Sequence, residues 1–303
     1  MIPIITGPTA SGKTDFILNL SKKLNVEIIS ADAYQVYKYM DIGTAKPTIE
    51  ERAQVKHYLI DILTPDQTYS AGDFFEHAEK LIEKIIQLGK FPIIVGGTGL
   101  YVETLQKGIF EGPPRNDEIR NNLRTKAKKL GLKYLYNHLK KIDPDYASKI
   151  SENDQVRIIR ALEVYETLKI PFSIAHKLYH KKPKYRYKVF VFYRERTQLY
   201  ERIDKRVDKM IEAGWIDEVK HLMKLGYSKN LPSMKAIGYQ EIIEFLESKY
   251  TLEYTVDKIK KRTRNFAKRQ FTWFRHMENV SWVDVSLYNL ENLIYEIIKT
   301  YDI

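Results

Sequence analysis

Two hydrophobic rhythms alternate along the chain. Short, mostly apolar runs of strand length stand at residues 1–6, 26–30, 58–63, 91–95 and 189–193. Between them run longer stretches with apolar residues at helical spacing. Residues 15–24 carry Phe16, Ile17, Leu20 and Leu24 on one face. Residues 71–88 carry Phe74, Phe75, Ala78, Leu81, Ile82, Ile85 and Ile86, and Gly89 closes the helix. Strand and helix in alternation predict an α/β fold with a parallel sheet flanked by helices.

The rhythm breaks at Gly112-Pro113-Pro114. From Arg115 to about Arg186 the pattern is only helical, with helices expected at 117–130, 132–141 and 154–167. The strand rhythm returns at Val189. The economical reading is a core of residues 1–112 and 187–303 with an all-helical insertion domain at 113–186. The last third predicts helices at 196–213, 215–225 and 251–276, a turn at 233–241, a short strand at 280–283 and a closing helix at 290–300.

Chemistry enters at the first strand-to-helix junction. Gly7-Pro8-Thr9-Ala10-Ser11-Gly12-Lys13-Thr14 fits G-x-x-x-x-G-K-[ST] at every fixed position. Such a loop makes a nest of backbone N–H groups at a positive helix end. Lys13 adds a full charge, and the Thr14 hydroxyl can join the shell of a Mg²⁺ ion. The fold class is therefore P-loop NTPase-like. The loop alone leaves kinases, NTPases and transferases with a diphosphate leaving group all open. Asp32 follows the second strand, where ligands of open parallel sheets bind. It suits a general base and a helix N-cap equally. The strand at 91–95 ends in Gly96-Gly97-Thr98-Gly99, where hydrolytic P-loop enzymes usually carry an acidic residue for Mg²⁺. That argues against a motor ATPase.

Composition narrows the partners. The chain has 303 residues, no cysteine and a net charge of +11. Disulfides, Cys-ligated zinc and thiol catalysis are excluded, and a reducing cytoplasm is expected. The phosphate loop follows the N-terminus directly, so no signal peptide is expected. No apolar run approaches the ~20 residues of a membrane span. The positive charge is concentrated. Residues 176–188 hold six Lys/Arg and three Tyr with no acid, and 256–276 hold eight Lys/Arg with Asp257 alone against them. Along the latter, Ile259, Phe266, Ala267, Phe271 and Phe274 predict a buried stripe, with Arg264, Lys268, Arg269 and Arg275 fanning out from it. Bases interleaved with aromatics favour nucleic acid.

In this order and spacing the motifs resemble the tRNA dimethylallyltransferase family in its bacterial form, over essentially the whole chain. They are the phosphate loop, Ser30-Ala31-Asp32-Ala33-Tyr34-Gln35-Val36-Tyr37, the stretch Met40 to Pro47, and Val95-Gly96-Gly97-Thr98-Gly99-Leu100-Tyr101. After these come residues 153–163, Ala236-Ile237-Gly238-Tyr239, and Lys268-Arg269-Gln270 with Trp273-Phe274-Arg275. The resemblance implies transfer of a dimethylallyl group from dimethylallyl diphosphate. The acceptor would be the exocyclic amine of the adenine on the 3′ side of the anticodon, in tRNAs reading codons that start with U. It implies that the loop holds the diphosphate, that Lys13, Thr14 and Mg²⁺ neutralise it, and that Asp32 and Thr98 act at the reacting base. It further implies tRNA contacts at Asp32, Ala33, Tyr34, Gln35, Thr98, Arg120, Val156, Arg157, Ile158, Ile159 and Arg160. More are implied at Met234, Lys235, Ala236, Ile237, Gly238, Tyr239, Gln240 and Glu241. The last set is Lys268, Arg269, Gln270, Phe271, Thr272, Trp273, Phe274 and Arg275. A monomer is expected. Two positions depart from the pattern: Ala33, where the family often has Ser, and Val156, where some relatives carry Gln. Rival readings are a free-nucleotide prenyltransferase, a small-molecule kinase and a non-catalytic RNA-binding protein. A mononucleotide needs no such basic footprint.

Overall fold

The computed structural model describes residues 1–287; the closing helix expected at 290–300 lies outside them. The chain forms two compact units, Lys107–Lys182 and the remainder.

The first unit opens with β1 (Ile2–Thr6), α1 (Lys13–Ser21), β2 (Val26–Ser30), α2 (Ile49–Gln54), β3 (His57–Tyr58), α3 (Ala71–Gln87), β4 (Phe91–Val95) and α4 (Gly99–Lys107). The second holds β5 (Ile109–Phe110), α5 (Asp117–Leu130), α6 (Leu132–Ile142), α7 (Pro144–Ala147), α8 (Gln155–Leu168), α9 (Phe172–Leu178) and β6 (His180–Lys181). The first then resumes with β7 (Tyr187–Tyr193), α10 (Arg196–Glu212), α11 (Trp215–Lys224), a 3₁₀ turn at Ser233–Lys235, α12 (Tyr239–Leu246), α13 (Leu252–Arg275) and β8 (Val280–Asp284).

The sheet of the first unit has the order β3-β2-β4-β1-β7-β8, and every pairing in it is parallel. Its inner strands are apolar on both faces because helices cover both. Phe16, Ile17 and Leu20 of α1 pack on Ile5, Ile28, Ile93 and Phe192 from one side of this core. A second cluster gathers Trp215, Tyr239, Met234, Val219 and Ile259 around the loop that carries Met40. Each such fully buried side chain contributes about 1.5–3 kcal/mol relative to exposure.

The strand expected at 58–63 stops at Tyr58. Leu59 and Asp61 have φ of +62° and +56°, which an extended run cannot contain. The cause is electrostatic: Asp61 turns to take Lys46 Nζ at 2.6 Å and Arg52 at 2.7 Å. Leu63 keeps one isolated parallel bridge to Tyr37.

The second unit packs α5, α6 and α8 around Leu123, Leu135, Leu139, Ile158 and Leu162. It is not wholly helical. Ile109 pairs with Lys181 and Phe110 with His180 in an antiparallel ladder. The basic run at 176–188, read as a candidate nucleic-acid contact, contributes the end of α9, one strand of this ladder and the start of β7.

Candidate active site

The phosphate loop is shaped by what its carbonyls must face. Lys13 Nζ donates to the carbonyls of Gly7 and Pro8, both at 2.9 Å. Arg194 Nε donates to Ser11 O at 3.2 Å, and Arg202 Nε to Ala10 O at 3.0 Å. With those carbonyls taken, the amides that begin α1 are left for an anion in the cavity that Lys13 and Thr14 line. Gly7 has φ +137°, and a Cβ there would lie 2.1 Å from Phe192 O of β7. No other residue lets the loop pass so close to the sheet.

The loop walls a cavity of about 430 Å³, closed on the far side by one face of α10. Arg202, Lys205, Arg206 and Lys209 recur there at i, i+3, i+4 and i+7 and all line it. Arg194, Arg202 and Arg206 were missed in the sequence, although the spacing within α10 was a readable signal for the latter two. Burial holds Lys13 down to about 7, helped by the nearby Arg206 and opposed by Asp32. Burial also lowers Arg206 and, with Arg202 beside it, Arg194. Ser11 Oγ is buried in the loop with no hydrogen-bond partner. Cations penalised by burial and an unpaired hydroxyl form a site built for a polyanion.

Asp32 follows β2 in a tight turn, not at a helix start. Its Oδ1 accepts the amides of Tyr34 at 2.9 Å and Gln35 at 3.3 Å. These bonds aim the carboxyl and leave Oδ2 for a substrate. Desolvation raises the Asp32 pKa above the ordinary carboxylate value, against the lowering pull of those amides, Lys13 and Arg206. Thr98 braces the same turn: its Oγ1 accepts the Ala33 amide at 3.0 Å and its own amide donates to Ala31 O at 3.2 Å. Ala33 thus needs no hydroxyl to hold the turn in place.

A second cavity, of about 590 Å³, shares Thr9, Asp32, Thr44, Gly97, Arg206, Phe266 and Gln270 with the first. Elsewhere it is lined by Leu100, Ile237, Trp273, Met210 and the stems of Arg262 and Arg269. Its lining sets apolar side chains beside Arg206, Arg262, Arg269 and Lys235.

The residues expected to touch tRNA divide by location. Ala33, Tyr34, Thr98, Lys235, Ala236, Ile237, Arg269, Gln270 and Trp273 line the second cavity, and Gln35 lines the first. Gln240, Lys268, Thr272 and Arg275 are exposed. Met234, Tyr239, Glu241, Phe274, Ile158 and Ile159 are buried, so their side chains are spent on the core. Gly238 packs against Trp215. In the second unit Val156 and Arg157 are exposed. Arg120 and Arg160 instead clamp the fully buried Glu163, at 2.9 and 2.8 Å. The stripe of α13 is Thr255, Ile259, Ala267, Gln270 and Phe274, with Phe266 and Phe271 half-buried. Arg264 does not fan outward: it grips Asp204 at 2.5 Å.

Among the described residues no group of three His, Cys, Asp or Glu side chains could hold a metal. Thr14 offers a single neutral hydroxyl at the loop. That donor set fits Mg²⁺ only as an ion carried mainly by phosphate oxygens and water, which is how Mg²⁺ commonly binds.

Residues 35–277 match the family model described as IPP transferase. The chain is 47% identical over 291 residues to the tRNA dimethylallyltransferase of Thermotoga neapolitana, covering 96% of this chain and 94% of that one. It is 44% identical over 300 residues to that of Acetivibrio thermocellus, covering 98% and 96%. Among solved structures, the tRNA isopentenylpyrophosphate transferase of Bacillus halodurans superposes with a TM-score of 0.72 at 39% identity, covering 99% of this chain and 95% of that one. A eukaryotic dimethylallyltransferase described as acting on tRNA gives a TM-score of 0.85 at 28% identity, covering 99% and 78%.

Proposed function

The chain belongs to the IPP transferase family, the tRNA dimethylallyltransferases, and from that premise we infer how its two cavities divide the reaction. The first holds dimethylallyl diphosphate by its diphosphate. The second receives the adenine 3′ of the anticodon, flipped out of a single-stranded loop where unstacking is cheap. The observation that carries this reading is the shared wall, with Asp32 and Arg206 on it.

The allylic C–O bond breaks, and its electron pair leaves on the diphosphate. The adenine amine supplies the pair for the new N–C bond. Its proton passes to Asp32 Oδ2. An aromatic amine is a weak nucleophile, so the leaving group must carry much of the charge in the transition state. Lys13, Arg202 and Arg206 are fixed in advance around that charge. Mg²⁺ held by Thr14 and the diphosphate would supply further neutralisation there. A carboxyl whose pKa burial has raised is a stronger base than a solvated one, which suits Asp32 to the proton.

The exposed bases Lys268, Arg275, Lys128, Lys129, Lys140 and Arg157 support tRNA over a free nucleotide. No described helix is long and apolar enough to cross a membrane, and a tRNA acceptor supports a cytoplasmic location. One chain contains both cavities, which supports a monomeric working unit.

The test is a transfer assay with Mg²⁺, labelled dimethylallyl diphosphate and either an anticodon stem-loop or AMP. Label on the stem-loop alone is expected. Label on AMP alone would select the free-nucleotide rival, and ATP consumption without label transfer would select a kinase.

A further inference from the structure

Gln270 is the one amide side chain in the buried stripe of α13. Its Oε1 accepts the amide of Thr9 in the phosphate loop at 3.0 Å, and its Nε2 donates to Gly97 O at 2.8 Å. The orientation is forced, because a flipped amide would set donor against donor and acceptor against acceptor. The parallel ladder between β1 and β4 ends at Ile5 with Val95. Just beyond it the two chains diverge, one into the phosphate loop and the other into Gly96-Gly97-Thr98. The Gln270 amide fills that gap with one acceptor and one donor, as a further peptide of the ladder would. The approach depends on glycine, since a Cβ at position 97 would lie 2.5 Å from Nε2.

The bridge continues toward the chemistry. Gly97 precedes Thr98, whose Oγ1 holds the Ala33 amide beside Asp32. One side chain thus ties the loop facing the first cavity to the turn facing the second, and Gln270 lines both. We propose that Gln270 is a positioning residue for the transfer, setting the register between the diphosphate-holding loop and the Asp32 turn that meets the acceptor amine, and that it is not an RNA contact. Reacting atoms must sit about 3–3.5 Å apart in line, and a misplacement of about 1 Å costs on the order of 100-fold.

This rests on the prenyl-transfer reading, which the wild-type transfer assay tests first and separately. Gln270→Glu keeps the acceptor for Thr9 and loses the donor to Gly97. Gly97→Ala displaces the amide while leaving it intact. For each variant the experiment measures thermal melting, stem-loop affinity, donor KM and the single-turnover transfer rate. Both variants are expected to melt cooperatively, to hold stem-loop and donor within about threefold of wild type, and to transfer about 100-fold more slowly. Weaker stem-loop binding with wild-type transfer at saturating RNA would make Gln270 an RNA contact and overturn the proposal. Unchanged rates in both variants would overturn it as well. If Gln270→Glu fails to fold, Gly97→Ala decides alone.

Discussion

Asp32 and Arg206 stand on the wall that both cavities share, and each charge acts on the other's ionisation. The carboxyl and the guanidinium are thus coupled before either substrate arrives. Asp32→Asn keeps the acceptors for Tyr34 and Gln35 and removes the base. Transfer should fall about 10²–10⁴-fold while stem-loop affinity holds. Burial raises the Asp32 pKa, so its charge costs stability above the unfolded value of 3.8. The same variant should therefore melt higher at neutral pH. Full turnover in Asp32→Asn would remove Asp32 as the base.

Lys13 ties donor binding to pH. Its folded pKa is about 7 against 10.5 for the free side chain. The folded state therefore binds fewer protons than the unfolded one between those values, and the Lys13 contribution to stability rises with pH across that window. A bound diphosphate favours the charged form, so binding should draw a proton onto Lys13 and weaken as pH rises above 7. Calorimetry of inorganic diphosphate in buffers of different ionisation enthalpy reads that uptake directly. Lys13→Met should abolish it.

Arg206→Gln removes a charge that no backbone carbonyl of the loop engages. The donor KM should rise about 10–100-fold, the scale of one lost charge-assisted hydrogen bond, with stem-loop affinity unchanged. A steady-state titration of donor at saturating stem-loop measures it.

Glu163 is the electrostatic keystone of the helical unit. Burial works to raise its pKa, but Arg120, Arg160 and the Asn116 amide outweigh that and hold it below 4.5. Its stability contribution is present above that value and is lost as pH falls through the folded pKa. Glu163→Ala strands two arginines and should cost about 3 kcal/mol. Thermal melts at pH 7 and pH 4 check both points: the wild type should lose more stability on acidification than Glu163→Gln.

What the sequence revealed depended on how local the cause was. The phosphate loop was legible because its glycines and lysine answer a backbone demand within eight positions. Asp32 was placed by the rule that ligands sit beyond strand ends. The roles of Arg120, Arg160, Arg264 and Gln270 were not legible. Their charge or polarity could be read, but their partners lie 43, 3, 60 and 261 residues away. Even the pair only three apart needed the burial of Glu163 to make it structural. The strand at 58–63 failed for the same reason, since Lys46 and Arg52 pull Asp61 out of line.

The two-residue ladder of β5 and β6 makes the helical unit the loop of one very wide hairpin. Its chain leaves and returns at a single point. Such a segment behaves as a cassette: lengthening or trimming it changes the closure entropy only logarithmically, by about 0.6 kcal/mol per doubling. The helices between residues 111 and 179 can therefore drift in length and surface while the ladder that closes them stays the same.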